Sequence, residues 1–278
     1  MRYSADFCYH GVSEGRRYKV NVRQIAEQLD SIFKLKKFRT ISLTGGGGKT
    51  SMLYALGGYF AVEERVVMTT TTKLYRPEES DHVQVFIASL PECIEEIKNT
   101  ENCSLSLAAK RAEEQKLIGF TAEEADAIAS SEVCGKLIVE ADGTRGMSFK
   151  CYENWEPPVP QNSNCQIIIL GADTLVSPAS PTTVFRLDML REKYGIQKGE
   201  MISARNMAAI LSNKSEYLKN SPKETFRILF INKGELLEEE ERETTLGKIW
   251  ENLNGYDGAA IGSLSEDRIY ASVIKDSE

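Results

Sequence analysis

The stretch "ISLTGGGGKTSM", residues 41–52, is the most informative part of this 278-residue chain. The segment 39–45 has the apolar character of a buried strand, and it leads directly into four glycines followed by Lys49 and Thr50. Residues 49–64 then carry apolar side chains at helical spacing. Glycines let successive backbone N–H groups turn toward one anion, and a helix N-terminus favours negative charge. The stretch therefore predicts a phosphate-binding loop between a strand and a helix.

The glycine loop differs from the longer phosphate-loop pattern, because Leu43 stands five residues before Gly48, where that pattern has glycine. The sequence fits the shorter Gly-x-x-Gly-Lys-Thr form, which resembles the loops of Mur-type ligases and of the MinD and dethiobiotin synthetase group. Thr44 stands where the second group often has another lysine. We expect the Lys49 ammonium on the β- and γ-phosphates of a nucleotide and the Thr50 hydroxyl on Mg²⁺. The predicted nucleotide contacts are Gly45, Gly46, Gly47, Gly48, Lys49, Thr50 and Ser51.

Apolar segments alternate with amphipathic helical patterns along the rest of the chain. This alternation predicts an α/β fold: a mostly parallel, doubly wound sheet of the P-loop NTPase type with helices on both faces. We expect one domain over residues 1–278, with 1–37 as an N-terminal extension of uncertain role. Ligands of such sheets bind at the carboxyl ends of the strands. The other predicted strands are 65–72, 82–88, 135–143, 165–173, 226–234 and, as the last one, 258–264. The other predicted helices cover 22–35, follow the capping box of Thr121 and Glu124, follow Ser203, and include 246–253.

Charge and cysteine content exclude several classes of function. With 34 basic and 41 acidic residues the net charge is -7, so we expect no nucleic-acid partner, since backbone phosphates require basic patches. The six cysteines form no Cys-x-x-Cys pair, which argues against structural zinc and leaves Cys8 with His10 as a weak metal-binding alternative. No apolar run reaches the length of a signal peptide or a membrane span, so we expect a cytoplasmic protein without a membrane partner.

Two carboxylates follow the predicted strand in "LIVEADG", residues 137–143. Strand alternation places Glu140 and Asp142 on the same side. One of them can hold Mg²⁺ directly or through water, while the other orients or deprotonates a nucleophile. The sequence does not assign the two roles, and Asp-Gly is also an ordinary turn pair.

Further polar side chains follow other strands, and each has two interpretations. The run "TTTTK" at 69–73 suits strand propensity, or a site in which Thr72 and Lys73 contact Mg²⁺ or the γ-phosphate. Arg145 and Lys150 can bind a phosphate or an acidic second substrate, or they are solvated charges.

The turn "LFINKGE", residues 229–235, resembles the Asn-Lys-x-Asp turn with which GTPases contact guanine. In those proteins the carboxylate accepts hydrogen bonds from the guanine N1 and amino groups. Asn232, Lys233 and Glu235 are the corresponding residues here, and the glutamate is one methylene longer than aspartate. The turn predicts a base contact and leaves ATP and GTP open as the nucleotide.

Taken together, four stretches resemble the YqeC family, a group of accessory proteins of selenium-dependent molybdenum hydroxylases. They are "TGGGGKT", "TTTTK", "VEADGTRGMSFK" with the later "EPPVP", and "VFR" with the later "NKGE". The resemblance extends from Ile41 to Glu235. Phe185 stands where the family often has histidine, and Glu235 where aspartate is common, so any histidine-based role at the first position and the base selectivity at the second do not carry over.

The resemblance implies a role in maturation of a selenium-containing molybdenum cofactor, with a molybdenum hydroxylase or its cofactor as partner. Together with the site residues it predicts Mg²⁺-dependent binding of ATP or GTP, followed by hydrolysis or phosphoryl transfer. The expected catalytic residues are Lys49, Glu140, Asp142 and Arg145, and the expected metal ligands are Thr50, Glu140 and Asp142. Two alternatives are a nucleotide-gated cofactor chaperone with little turnover and a Mur-like ligase that activates a carboxylate.

Overall fold

The computed structural model describes residues 23–76, 83–101 and 104–275. The strands are β1 (Thr40–Gly45), β2 (Val66–Thr70), β3 (Lys73–Tyr75), β4 (Gln84–Ile87), β5 (Leu105–Ala109), β6 (Arg111–Glu113), β7 (Lys116–Ile118), β8 (Lys136–Glu140), β9 (Phe149–Lys150), β10 (Cys165–Gly171), β11 (Val184–Phe185), β12 (Phe226–Asn232), β13 (Gly258–Ser263) and β14 (Arg268–Ile274). The helices are α1 (Arg23–Phe33), α2 (Lys49–Phe60), α3 (Leu90–Lys98), α4 (Ala122–Ser130), α5 (Asp173–Val176), α6 (Leu187–Tyr194), α7 (Ala204–Leu211) and α8 (Glu239–Trp250).

The central sheet has nine strands in the order β14-β13-β12-β10-β1-β8-β2-β5-β4. All neighbouring pairs are parallel except β13 and β14, which are antiparallel. The strand β1 lies between β8 and β10, so the glycine loop leaves the middle of the sheet. The predicted α/β fold with a mostly parallel sheet is confirmed.

Helices cover both faces of this sheet. On one face α1 and α2 pack over the strands, and Leu53 of α2 shares a buried cluster with Leu43 of β1. On the other face α3 and α4 cover the half that contains β8 and β2, where Ile128 and Val139 share a cluster. A separate cluster includes Met207 of α7 and covers β10, β12 and β13. The doubly wound arrangement is therefore confirmed as well.

The sequence of β10 explains its central position. All of its residues are buried, and Ile167 and Ile169 belong to the cluster of one face while Ile168 and Leu170 belong to that of the other. A strand covered on both faces needs apolar side chains at every position rather than in alternation. The run "IIIL", residues 167–170, meets that requirement, and the buried amide of Gln166 before it donates a hydrogen bond to the Thr44 hydroxyl at 3.0 Å.

Two helix starts agree with the sequence prediction. Thr121 and Glu124 form a complete capping box at the start of α4, and the Ser203 hydroxyl accepts a hydrogen bond from Asn206 N–H at the start of α7. The segment 154–164, which breaks regular structure by composition, contains no helix or strand before β10.

The prediction was incomplete at the strands. The segment 258–264 forms β13, but it is not the last strand, because β14 follows and pairs with it. Three short strands also form a separate antiparallel sheet in the order β3-β7-β6, and β9 pairs with β11. Strands of two or three residues carry too few positions for a periodic pattern to be recognised.

Part of the predicted N-terminal extension belongs to the core. Ile25 and Phe33 of α1 are fully buried, and the helix packs on α2 and β14. Its first N–H groups are capped by Asp267, whose carboxylate accepts hydrogen bonds from Gln24 N–H at 3.3 Å and Ile25 N–H at 2.9 Å. Residues 1–22, with the Cys8–His10 alternative, lie outside the described residues. None of the helices in the described ranges is long and apolar enough to cross a membrane.

Candidate functional site

The glycine loop connects β1 to α2 and is packed tightly against its neighbours. A Cβ on Gly45 would lie 2.1 Å from the carbonyl oxygen of Ile169, and a Cβ on Gly46 would lie 2.4 Å from that of Met147. Gly45 also has a φ of 90°, in the region that favours glycine. These positions therefore require glycine for the packing of the loop itself, whether or not a ligand is bound.

The loop ends at the N-terminus of α2, where Gly48 is the N-cap and no side chain caps the helix. The first N–H groups of a helix have no partner inside the helix, and this end carries a partial positive charge. An anion at this position can accept hydrogen bonds from these groups. The start of α2 thus has the chemistry of a phosphate site.

Lys49 lies at the same end and is 4% exposed. Its ammonium donates a hydrogen bond to the Gly45 carbonyl oxygen at 2.5 Å and lies 3.0 Å from Oδ1 of Asp142. The side chain is therefore folded back over the loop, and its charge is paired with a carboxylate of the protein.

Asp142 is fully buried and connects the loop to several partners. Its Oδ2 accepts hydrogen bonds from Gly45 N–H at 3.0 Å and from the Tyr152 hydroxyl. The Lys150 ammonium lies 3.7 Å from the same oxygen. Burial disfavours the charged form, but the ammonium groups of Lys49 and Lys150 outweigh it and hold the pKa of Asp142 below its ordinary value.

Glu140, at the end of β8, accepts a hydrogen bond from the Thr50 hydroxyl at 2.8 Å. Burial raises the pKa of this carboxyl above its ordinary value, and the neighbouring Lys49 ammonium only partly offsets the effect. A hydroxyl and a carboxylate side by side are hard oxygen ligands of the kind that Mg²⁺ prefers. The described residues contain no group of three or more His, Cys, Asp or Glu side chains suited to a metal, so such an ion would need further ligands from phosphate and water.

The two basic residues after the carboxylates have different positions. Lys150 is completely buried, donates a hydrogen bond to the Gly143 carbonyl oxygen at 2.9 Å and lies 3.2 Å from Oε1 of Glu156. Arg145 is exposed, has a left-handed φ of 53°, and its guanidinium lies 5.4 Å from the ring centre of Phe185. Lys150 therefore supports Asp142 from inside the protein, and Arg145 is the one of the two that faces solvent.

Thr70, in the threonine run, forms hydrogen bonds at the ends of β2 and β8. The Thr70 hydroxyl donates to the Glu140 carbonyl oxygen at 2.8 Å and accepts from Thr72 N–H at 3.1 Å. Lys73 lies on the small sheet, where its ammonium pairs with Glu113 at 2.8 Å and both side chains are exposed. Thr72 thus stays next to the end of β8, whereas the charge of Lys73 is directed to the small sheet.

The turn after β12 contacts the glycine loop from the β10 side of β1, opposite to the β8 side on which Glu140 lies. The Asn232 amide donates to the Gly47 carbonyl oxygen at 2.7 Å, and its oxygen accepts from Leu264 N–H at 2.9 Å. Glu235 accepts a hydrogen bond from the Ser265 hydroxyl at 3.1 Å, and its Oε2 is buried without a hydrogen-bond partner among the described residues. The structure therefore brings the turn and the loop together, as the order of the strands requires.

Three polar residues at the site were not predicted: Ser148, Tyr152 and Asp173. Tyr152 accepts a hydrogen bond from Gly45 N–H at 2.9 Å, and Ser148 and Asp173 contact Lys233. Asp173 lies two residues after the end of β10, as Asp142 lies two residues after the end of β8, so both carry the same signal, a carboxylate after a buried strand. Ser148 and Tyr152 carry no local pattern that distinguishes them from other loop residues.

Comparison with known proteins identifies the family. A family model described as "YqeC protein" matches residues 41–188. A protein of Escherichia coli (strain K12) described as "Uncharacterized protein YqeC" is 31% identical over 199 residues, which are 71% of this chain and 77% of that protein. The chain belongs to the YqeC family. No solved structure matches it.

The part matched by the YqeC family model contains the glycine loop, Glu140 and Asp142, and it ends before the turn at 232–235. The family match therefore covers the part of the site formed by β1, α2 and the carboxylates at the end of β8. The turn after β12 lies outside the residues matched by the family model. It belongs to the site because the Asn232 amide donates a hydrogen bond to the glycine loop.

Proposed function

We propose that this YqeC family member binds a Mg²⁺–nucleoside triphosphate at the glycine loop and hydrolyses or transfers its terminal phosphate. The observation that carries the proposal is the convergence of three features at the ends of β1 and β8. They are the uncapped start of α2, the Lys49 ammonium, and the hydrogen-bonded pair of Thr50 and Glu140.

The phosphates would replace an interaction that the protein now makes with itself. Lys49 has Asp142 as its anion, and a phosphate oxygen near the first turn of α2 is an equivalent acceptor. The ammonium and the backbone N–H groups of residues 47–51 then stabilise negative charge on the phosphates as it develops during transfer. The N–H groups of Gly45 and Gly46 instead donate within the protein, to Asp142 and to the Ile169 carbonyl oxygen.

Mg²⁺ fits the oxygen ligands at this end of the site. Thr50 and Glu140 would hold it, directly or through water, and a bound ion would neutralise charge on the β- and γ-phosphates. Asp142 keeps its carboxylate charged through its pairing with Lys49 and Lys150, so it can orient a water molecule or an acceptor hydroxyl. Exposed Arg145 is the candidate for contact with the second substrate.

The turn after β12 is the candidate for the base. Both ends of the Asn232 amide are used by the protein, so this residue holds the turn against the loop rather than contacting a ligand. Glu235 has a carboxylate oxygen without a hydrogen-bond partner, which suits the N1 and amino donors of guanine. The longer glutamate leaves both ATP and GTP as candidate nucleotides.

The cellular role that we propose follows the family resemblance. It is the maturation of a selenium-containing molybdenum cofactor, with a molybdenum hydroxylase or its cofactor as the partner. The resemblance supports this role, and the geometry supports only the nucleotide chemistry within it.

One observation favours a second candidate, a nucleotide-gated carrier of the cofactor with little turnover. Asp142 is fully buried with four polar neighbours and Glu140 is bonded to Thr50, so both carboxylates already interact with groups of the protein. A carrier needs nucleotide binding and release but no efficient chemistry.

The experiment measures binding and turnover separately. Affinities for ATP and GTP are measured by calorimetry with Mg²⁺ and with EDTA, and phosphate release is followed in the same samples. We expect Lys49→Ala to weaken binding by about 10- to 100-fold, because it removes a charged hydrogen-bond donor. Lys110→Ala is the matched control, since Lys110 pairs with Glu124 on the surface.

Each outcome separates the candidates. Binding with turnover in wild type, both lost in Lys49→Ala, supports the enzyme. Binding that depends on Lys49 without phosphate release, even with a molybdenum hydroxylase present, supports the carrier. If neither nucleotide binds the wild-type protein, or if Lys49→Ala binds as tightly as Lys110→Ala, the proposed function is wrong.

A further inference from the structure

Ser148 and Asp173, which the proposed function leaves without a role, form a closed ring of hydrogen bonds with Lys233 of the turn after β12. The Lys233 ammonium donates to the Ser148 hydroxyl at 2.7 Å and to Oδ2 of Asp173 at 2.9 Å. The Ser148 hydroxyl in turn donates to the same Asp173 oxygen at 2.8 Å. Each member of the ring therefore contacts both of the others.

The ring lies directly against the glycine loop. A Cβ on Gly47 would lie 2.8 Å from the Gly171 nitrogen and 3.2 Å from the Ser148 Cα. Gly171 N–H also donates to the Ser148 carbonyl oxygen at 3.0 Å. The three ring residues come from separate segments of the chain, so they are held at this position by the fold rather than by a local turn.

Lys233 retains the capacity to bind a ligand. Its ammonium has three donors, and the ring accounts for two of them. The side chain is 35% exposed and that of Asp173 is 22% exposed, whereas Ser148 is buried. The ring therefore fixes the direction of an accessible ammonium whose third N–H has no acceptor among the residues that the structure describes.

The order of the strands indicates which part of a nucleotide would meet this ammonium. The pair of Thr50 and Glu140 lies on the β8 side of β1, and Lys233 follows β12, on the β10 side. In the proposed binding mode, the terminal phosphates and the metal lie on the β8 side, and the chain of phosphates runs along the loop. The nucleoside then lies on the β12 side.

We propose that Asp173 and Ser148 are positioning residues that direct the Lys233 ammonium toward an oxygen of the sugar or base of the bound nucleotide. This proposal rests on the proposed nucleotide binding, because the ligand occupies the same loop. Asp173 and Ser148 act through Lys233 and need not touch the nucleotide.

The test compares two ligands that share the triphosphate and differ in the nucleoside. Affinities for the preferred nucleoside triphosphate and for inorganic triphosphate, both with Mg²⁺, are measured for wild type, Asp173→Asn, Lys233→Met and the double variant. We expect Lys233→Met and Asp173→Asn each to weaken binding of the nucleotide by about tenfold and to leave inorganic triphosphate unchanged. The double variant should bind the nucleotide no more weakly than Lys233→Met alone, because Asp173 acts through the lysine.

Folding of each variant is checked by its thermal midpoint. If Asp173→Asn is unstable, the comparison is repeated with Ser148→Ala, which removes two of the three ring hydrogen bonds and leaves the pair of Lys233 and Asp173. The proposal is overturned if the variants weaken both ligands equally, since the ring then only supports the loop, or if they weaken neither. Wild-type protein that binds neither ligand overturns the proposed function itself. Wild-type protein that binds both ligands, with no variant selective for the nucleotide, overturns only the role of the ring.

Discussion

The glycine loop lies between two carboxylate–lysine pairs of almost equal length and very different surroundings. On the β8 side, Lys49 and Asp142 are 3.0 Å apart and only 4% and 0% exposed. On the β12 side, Lys233 and Asp173 are 2.9 Å apart and 35% and 22% exposed. The two pairs therefore differ not in their distances but in how far their side chains are buried.

Burial changes what each pair contributes. Charges removed from water are tolerated only when they remain paired, so the β8 pair is part of the folded structure. Charges near water lose little when a partner is removed, so the β12 pair can change its partners when a ligand binds. We infer that substitutions on the β8 side lower stability as well as ligand affinity, whereas those on the β12 side act mainly on ligand affinity.

The largest effect that separates the two sides is expected for the aspartates. Asp142→Asn leaves Lys49 and Lys150 buried without their shared anion and should lower the free energy of unfolding by about 3–5 kcal/mol. Asp173→Asn breaks the partly exposed pair and should cost about 0–1 kcal/mol. Urea unfolding of both variants and wild type gives the two values.

Equal losses in the two aspartate variants would contradict the comparison, because they would mean that burial does not set the cost. A small loss in Asp142→Asn alone would mean that the lysines find other acceptors, such as the Gly45 and Gly143 carbonyl oxygens they already contact.

A smaller effect is expected for Tyr152→Phe. The hydroxyl donates to Asp142 and accepts from Gly45 N–H, and both groups are buried. Its removal leaves these partners with fewer hydrogen bonds and should cost about 1–3 kcal/mol. Tyr256→Phe is a matched control, since the buried Tyr256 hydroxyl donates a hydrogen bond to the Leu211 carbonyl oxygen at 3.1 Å, away from the loop. A loss no greater than in the control would mean that Tyr152 does not hold Asp142 in place.

The smallest effect is expected for Glu140→Gln, and it depends on pH. Burial raises the folded-state pKa of Glu140 above its ordinary value of 4.5, so the folded protein binds this proton more tightly than the unfolded chain. The contribution of Glu140 to stability is therefore full below that ordinary value and is lost as pH rises through the raised pKa. Glutamine keeps an acceptor for Thr50 and does not titrate.

The Glu140→Gln variant should accordingly gain stability relative to wild type as pH rises from 4.5 to neutral. Urea unfolding at a series of pH values measures the difference. Glu113→Gln is the control with the opposite sign, because the hydrogen bond from Lys73 lowers the pKa of Glu113. A difference between Glu140→Gln and wild type that does not vary with pH is incompatible with a raised pKa.

The sheet and its loop were predictable because their signals are local. Continuous apolar runs such as "IIIL", residues 167–170, indicate strands covered on both faces, and a capping box such as Thr121 with Glu124 indicates where a helix begins. The carboxylates after β8 and the turn after β12 were found for the same reason, since each directly follows an apolar strand. Strand β14 was missed although Ile269, Ala271 and Val273 alternate with more polar residues.

The supports of the site were not predictable, because they depend on contacts between distant segments. Tyr152 bonds to a backbone group 107 positions away, and no pattern around it signals that contact. Lysine is usually a surface residue, so the sequence gives no sign that Lys150 is buried. Only the fold shows that it lies in the interior next to the carboxylates of Asp142 and Glu156. The direction of Lys73 likewise depends on the small sheet, whose strands were too short to recognise.

The pairing of Lys49 with Asp142 has a consequence for ligand affinity. The carboxylate is attached to the same molecule and held 3.0 Å from the ammonium, so it competes with any incoming phosphate at a very high effective concentration. The measured dissociation constant therefore reports an exchange of one anion for another, not the strength of the new contact alone. A change that tightens this internal competitor would weaken phosphate binding without altering a single atom that touches the ligand.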